Sequence, residues 1–316
     1  MLGESHSEYL EKSMMIADIV LEQGRYRSAE EIIRKSISVF KTEDRDNIYK
    51  LKAQGILGRI LHHQGFYKQA EKIQSETLQS QKRVLGTEDP STLASMHGLT
   101  LVYMQQKRWK EAEDLCGQVL EIKMRVLGQD NISTVKSAGN LAQTYKAQKR
   151  WTEAEDLSLQ LIERQTGVLG REHPDTLITM GSLASLYMDE GRLKDAEDLE
   201  VYVLETMTRV LGQEHPDTLI TMGNLASLYK DQGRLKEAED LHVQALELKT
   251  RVLGQEHPHT LSSMHNLAST WNKAGRFADS VKLMEECRQL KIRILGASHP
   301  NTLNSKKLLL EWQRGN

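Results

Sequence analysis

Apolar residues recur at helical spacing along nearly the whole chain. In residues 218–234, Leu219, Met222, Leu225, Ala226 and Tyr229 fall on one stripe, and in residues 235–252 Leu235, Ala238, Leu241, Ala245, Leu246 and Leu248 form a second. Two such stripes make a helix pair, with Gly233 between them where a tight turn requires positive φ. Gly24, Gly65, Gly191 and Gly275 hold the equivalent place, and Lys107 and Lys149 replace it in two units, which should strain those turns. The second helix ends at a Leu-Gly pair, read as a left-handed cap. Pro216 then suits a first helical position, and Asp217 suits a positive helix end.

The Leu-Gly pair gives the period. It recurs at Leu85-Gly86, Leu127-Gly128, Leu169-Gly170, Leu211-Gly212, Leu253-Gly254 and Leu295-Gly296, every 42 residues, and residues 171–212 match 213–254 at 32 of 42 positions. Seven pairs are expected, near residues 7–40, 47–85, 91–127, 133–169, 175–211, 217–253 and 259–295, followed by a polar capping helix near 301–313. The reading is one array over residues 1–316, because stacked repeats share one continuous core. The opening MLGESHSEYL repeats the Leu-Gly register, so the chain starts at a seam. It is read as cut or descended from a longer array, with Met1 as a true start the alternative. Met14, Met15, Ile16 and Ile19 are candidates for exposure on an unshielded first pair. Deleting residues from Asn301 onward is accordingly expected to harm the chain more than an equal trim of the first helix.

The stretch NLASLYKDQGRLKEAEDL, Asn224 to Leu241, with Leu225, Ala226, Tyr229, Gly233 and Ala238 in register, resembles the tetratricopeptide repeat in its 42-residue form, as in kinesin light chains and nephrocystin-3-like proteins. Its wording is also similar to arrays at the C-terminal end of fungal NB-ARC or NACHT receptors. The resemblance implies an all-α, right-handed superhelical solenoid in which the first helix of each pair lines a concave groove that takes a peptide or a protein surface.

Composition narrows the chemistry. A net charge of −2 and a pI near 6.6 give no global reason to expect nucleic acid or a membrane surface as partner. Two cysteines, Cys116 and Cys287, make no disulfide framework, and a reducing, cytoplasmic setting is expected. His173, His215, His257 and His299 recur at the repeat period and are read as helix-start residues; no metal or other cofactor is expected. No phosphate-loop motif occurs, and no catalytic set is found, so the chain is read as non-catalytic.

Function is therefore sought in the groove. In related peptide-binding arrays an Asn one place before the Leu225 landmark grips the ligand backbone. That register holds Asn140, Asn224 and Asn266 here, with Ser182 between them. The alternative is an Asn that bonds only within its own groove. Gly55, Gly139, Gly181 and Gly223 leave the wall open to a ligand backbone. Lys52, Arg59, His62, His63, Lys136 and Lys146 form a basic stretch, bounded by Glu11, Asp18 and Glu22 before it and by Asp189 and Asp231 after it. The expected partner is a protein or extended peptide, with an acidic segment suited to the basic stretch. The leading role is an interaction module, alone or as the sensing arm of a larger signalling receptor. A kinesin-light-chain-like cargo adaptor is the alternative.

Overall fold

The computed structural model describes residues 4–40, 44 and 46–314, with side chains described from residue 8; the Leu2-Gly3 seam lies outside them. Every regular element among the described residues is an α-helix. They are α1 (Glu4–Glu22), α2 (Tyr26–Ser38), α3 (Ile48–His63), α4 (Tyr67–Val84), α5 (Pro90–Gln105), α6 (Trp109–Leu127) and α7 (Ile132–Ala147), then α8 (Trp151–Val168), α9 (Pro174–Glu190), α10 (Leu193–Leu211), α11 (Pro216–Asp231), α12 (Leu235–Leu253), α13 (Pro258–Lys273), α14 (Phe277–Leu295) and α15 (Pro300–Arg314). The helices fall into two compact units, Met1–Lys149 and Arg150–Asn316.

The helix starts are built by the repeated motif. His173, His215, His257 and His299 each accept a hydrogen bond through Nδ1 from the backbone N–H two residues on, at 3.1–3.3 Å, satisfying one of the free donors of the following helix. Asp89 and Asn131 do the same in the first unit. The turn within each pair has the left-handed geometry that the glycines imply, for example at Gly191 with φ 88° and ψ 8°. Between pairs the expectation fails in detail. Gly128, Gly212, Gly254 and Gly296 have positive φ but ψ of 158–164°, an extended mirror-image region open to glycine alone, so the chain leaves the helix sharply and no left-handed cap forms.

Lys107 and Lys149 adopt φ of 60° and 61° at the within-pair position. A side chain in this region costs roughly 1–2 kcal/mol, so Lys107→Gly should stabilise the protein by about 0.5–1 kcal/mol once the flexibility glycine adds to the unfolded chain is subtracted. Urea denaturation of this exposed-site variant checks it; an unchanged or lowered midpoint would remove the strain assignment.

In the first unit, α1 packs on α2 and α3, burying Leu10, Met14, Ala17, Val20 and Leu21. Met14 is thus core, contrary to expectation, while Met15, Ile16 and Ile19 are exposed. In the second unit, α9 to α14 pack as successive pairs, and α15 covers Ala268 and Met284 with Leu309, Leu308 and Trp312. Lys306, Lys307, Glu311, Gln313 and Arg314 are exposed on its outer side, as a capping helix requires. Arg108, Arg192, Arg234 and Arg276, each just after a within-pair turn, lie over an aromatic ring of the preceding helix and pair with carboxylates. Arg192, 3.9 Å above Tyr187 and bonded to Glu155 and Asp195, shows the pattern.

Candidate binding grooves

The residues expected to bind a partner lie on the first helix of each pair, and each unit has its own groove face. In the first unit a cavity of about 440 Å³ opens between α1, α3 and α5. Met14, Met15 and Ile56 give it apolar walls, Lys52 and Glu11 stand at it, and Gln81 reaches its floor from α4. Gly55 makes that depth available: a Cβ there would stand 2.9 Å from Ser95 Oγ and 3.7 Å from Gln81 Nε2. Gln81 Nε2 donates to the Leu51 carbonyl at 3.3 Å, and Gln81 Oε1 is buried without a partner. The floor therefore offers an acceptor to an incoming N–H or O–H.

Electrostatics alter the basic stretch. Arg59 pairs with Asp18 across α3 and α1; burial raises the Asp18 pKa, and the Arg59 charge pulls it back down. Burial, aided by His63 and His97, pushes His62 down to about 4, and burial followed by Arg59 lowers His63. Both imidazoles are neutral at pH 7 and add no charge. His63 stacks on Tyr26 of α2 at 5.6 Å, and His62 packs beside Tyr67, so the pair is held by its neighbours. Lys52, Arg59, Lys136 and Lys146 remain the cations, the first two on α3 and the last two on α7. Glu11 and Asp18 at the same cavity make it dipolar more than basic.

The asparagines differ among themselves. Asn140 is half-buried on α7 with Nδ2 3.2 Å from His97 Nδ1. Asn224 of α11 faces the carboxyl of Glu200 from α10, and Asn266 is half-buried on α13. Asn140 and Asn224 thus have partners within their own unit that a ligand would have to share or displace.

A second set of residues lies outside the expected groove positions. One register on the second helix of each pair, repeating every 42 residues, holds Gln74, Cys116, Ser158, Glu200, His242 and Met284. All six are buried; the polar groups of Gln74 and His242 have no hydrogen-bond partner, and Glu200 has the Asn224 amide beside it but no hydrogen bond of good geometry. Burial drives Glu200 up to about 7 and His242 down to about 4. A neighbouring register holds Lys123, Lys249 and Lys291, whose ammonium groups donate to Ser137, Ser263 and Ser305 at 2.9–3.0 Å. Burial lowers Lys249 to about 8. These lysine–serine contacts tie α6 to α7, α12 to α13 and α14 to α15. Cys116 and Cys287 are buried free thiols whose pKa burial raises, which suits packing more than reactivity. Among the described residues no group of three or more His, Cys, Asp or Glu is placed to hold a metal ion, and no helix is long and apolar enough to cross a membrane.

Known proteins share this architecture. The tetratricopeptide repeat profile matches residues 49–125, 101–164 and 133–200, and a second profile of the same description matches 218–259 and 260–301. No curated protein sequence matches the chain. Among solved structures, nearly identical TPR-like repeats of a Podosopora anserina protein of the kinesin-light-chain type share 32% identity over 65% of this chain and 96% of that one, with a TM-score of 0.51. BtubC (BKLC) from P. vanneervenii is 18% identical over 74% of this chain and 94% of its own, with a TM-score of 0.56. NprR in complex with its cognate peptide NprX is 17% identical over 96% of this chain and 82% of its own, with a TM-score of 0.57, a likeness of fold. With its 42-residue helix pairs, its glycine turns and these matches, the chain belongs to the tetratricopeptide repeat family.

Proposed function

We propose that the protein is a non-catalytic interaction module that holds an extended peptide or protein segment along its first helices, in a cytoplasmic setting. The observation that carries this reading is the cavity between α1, α3 and α5, with apolar walls, a dipolar rim and the unpartnered Gln81 acceptor on its floor. Such a combination buries an apolar side chain while fixing its polar end. Lys52 and Arg59 at this cavity, with Lys136 and Lys146 on α7, favour an acidic stretch in the segment, and Asn140, Asn224 and Asn266 offer amides to its backbone. NprR, which shares the fold, was solved with a cognate peptide, which supports a peptide as the class of ligand. The role of a sensing arm in a larger signalling receptor belongs to this reading. A cargo adaptor of the kinesin-light-chain kind is the second reading, favoured by the 32% identity to the Podosopora anserina repeats.

The test begins with partners recovered by pull-down, whose segments are then synthesised and titrated calorimetrically. Replacing Asn140, Asn224 and Asn266 by Ala removes hydrogen bonds worth about 0.5–1.5 kcal/mol each, so affinity should fall about ten-fold or more while circular dichroism is unchanged. Reversing Lys52, Arg59, Lys136 and Lys146 should weaken an acidic segment further and flatten its salt dependence. A segment that binds all three proteins equally does not use this face, and the reading fails for it.

A further inference from the structure

In the second unit the register expected to face the groove on α9 and α11 carries, at its middle, Gly181, Ser182 and Ser185, then Gly223, Asn224 and Ser227. Beneath it lies a carboxyl group that packing alone does not account for. Glu200 comes from α10 and is fully buried, and neither of its oxygens has a hydrogen-bond partner of good geometry. An ionised carboxylate without a partner is among the most costly groups to bury. Other copies of this register hold Cys116, Ser158 and Met284, so the fold does not need an acid there.

Glu200 is separated from the groove by very little. A Cβ on Gly181 would stand 3.7 Å from Glu200 Oε2, with no other atom from outside its own helix within 4 Å, so the missing side chain of Gly181 leaves the carboxylate uncovered on that side. Asn224 is the one group besides burial that acts on it, and its amide pulls the pKa down against desolvation. Lys249, beneath Gly223, is engaged by Ser263 at 3.0 Å and not by Glu200. At the end of α11 the exposed Asp231 stands next to Lys230, so the two offset each other in charge.

We infer that Glu200 is the anchor for a cationic side chain, an arginine or lysine of the bound segment, which enters over Gly181 and takes the place of Asn224 at the carboxylate. The inference rests on the groove reading above and adds the chemistry of the second unit taken by itself: its first helices are base-seeking at α9 to α11, whereas those of the first unit are acid-seeking at α3 and α7. Contact with the cation favours the ionised form of Glu200, so binding releases protons at pH values around and between the midpoints of the bound and the free protein.

The experiment uses the full chain, labelled with carboxyl-13C glutamate, and follows the Glu200 resonance against pH. The Glu200→Gln variant, nearly isosteric, assigns the resonance. The probe is ethylguanidinium chloride, the arginine head group, against tetramethylammonium chloride at equal ionic strength. Ethylguanidinium should lower the Glu200 midpoint by about one pH unit, a ten-fold preference for the ionised form. In Gly181→Leu, which closes the window, it should have no effect. Equal midpoints in the two salts, or an undiminished shift in Gly181→Leu, overturn the inference. Because this arm needs no partner, it is separable from the groove reading. If a segment binds at the asparagines and Glu200 ignores the cation, only the inference fails; if no segment binds and Glu200 still answers the cation, only the groove reading fails.

Discussion

Removing α1 should destabilise the protein more than removing α15, the reverse of what the polar face of the last helix suggests. α1 buries Leu10, Met14, Ala17, Val20 and Leu21 against α2 and α3, and it supplies one wall of the cavity. α15 buries one large apolar side chain, Leu309, with Leu308 and Trp312 partly covered. Each large side chain is worth roughly 1.5–3 kcal/mol of burial, and ordering the helix offsets much of that gain. Stacked repeats transmit the loss to the next neighbour, so the faces of α2 and α3 become exposed as well. The expected result is a fall in melting temperature of about 10 °C or more for a chain starting at Arg25, and half of that or less for one ending at Gly296. Differential scanning calorimetry of both truncations decides it. Equal losses, or a larger loss at the C-terminal end, would mean that α1 is held mainly by local helix propensity and not by its core.

Much of the fold is legible because the repeat writes the same physics several times over. Gly191 and Gly233 mark turns that require positive φ, and the structure has them. The histidines at 173, 215, 257 and 299 are legible as helix-start residues because a period, not a cluster, places them, and each caps through Nδ1. What a sequence pattern lacks is ψ and depth. The glycine of each Leu-Gly pair reads as the commoner left-handed cap, yet ψ near 160° directs the chain abruptly into the next pair. Met14 reads like its exposed neighbours Met15, Ile16 and Ile19, whereas its own packing on α3 buries it.

The candidate site is less legible than the fold. Lys52, Arg59, Lys136 and Lys146 can be placed on first helices by register, but the burial that neutralises His62 and His63 depends on Tyr26 and Tyr67, contributed by other helices. Gln81 and Glu200 give little signal because both stand on second helices, where the default role is packing. A signal is nonetheless present: Glu200 and His242, like Gln74, stand in a buried register that holds Cys116, Ser158 and Met284 in other copies, and the two repeats that carry them match at 32 of 42 positions. Column-by-column comparison of the copies with each other, with burial in mind, isolates them.

Glu200 also makes the stability of the second unit depend on pH in a direction opposite to that of a paired carboxylate. Its pKa rises to about 7 in the folded protein, chiefly through burial, against about 4.5 when exposed. A raised pKa means that folding favours the protonated form. Its contribution is therefore fully present below the unfolded value, declines as the pH rises from about 4.5 to about 7, and is flat above that. The change corresponds to about 3 kcal/mol by linkage, an order-of-magnitude figure suited to a fully buried group. Glu200→Gln keeps the shape and hydrogen-bonding reach of the side chain without the ionisation. The variant should match the wild type at pH 4.5 and exceed it by about 3 kcal/mol at pH 8, read from urea midpoints at each pH. His242 and Lys249 titrate in both proteins, His242 losing stability as the pH falls below its unfolded value and Lys249 as it falls from the ordinary lysine range toward 8, so the difference between the proteins isolates Glu200. A difference that stays constant across this range would show that Glu200 ionises freely in the fold, and that the Asn224 amide or another neighbour already satisfies it.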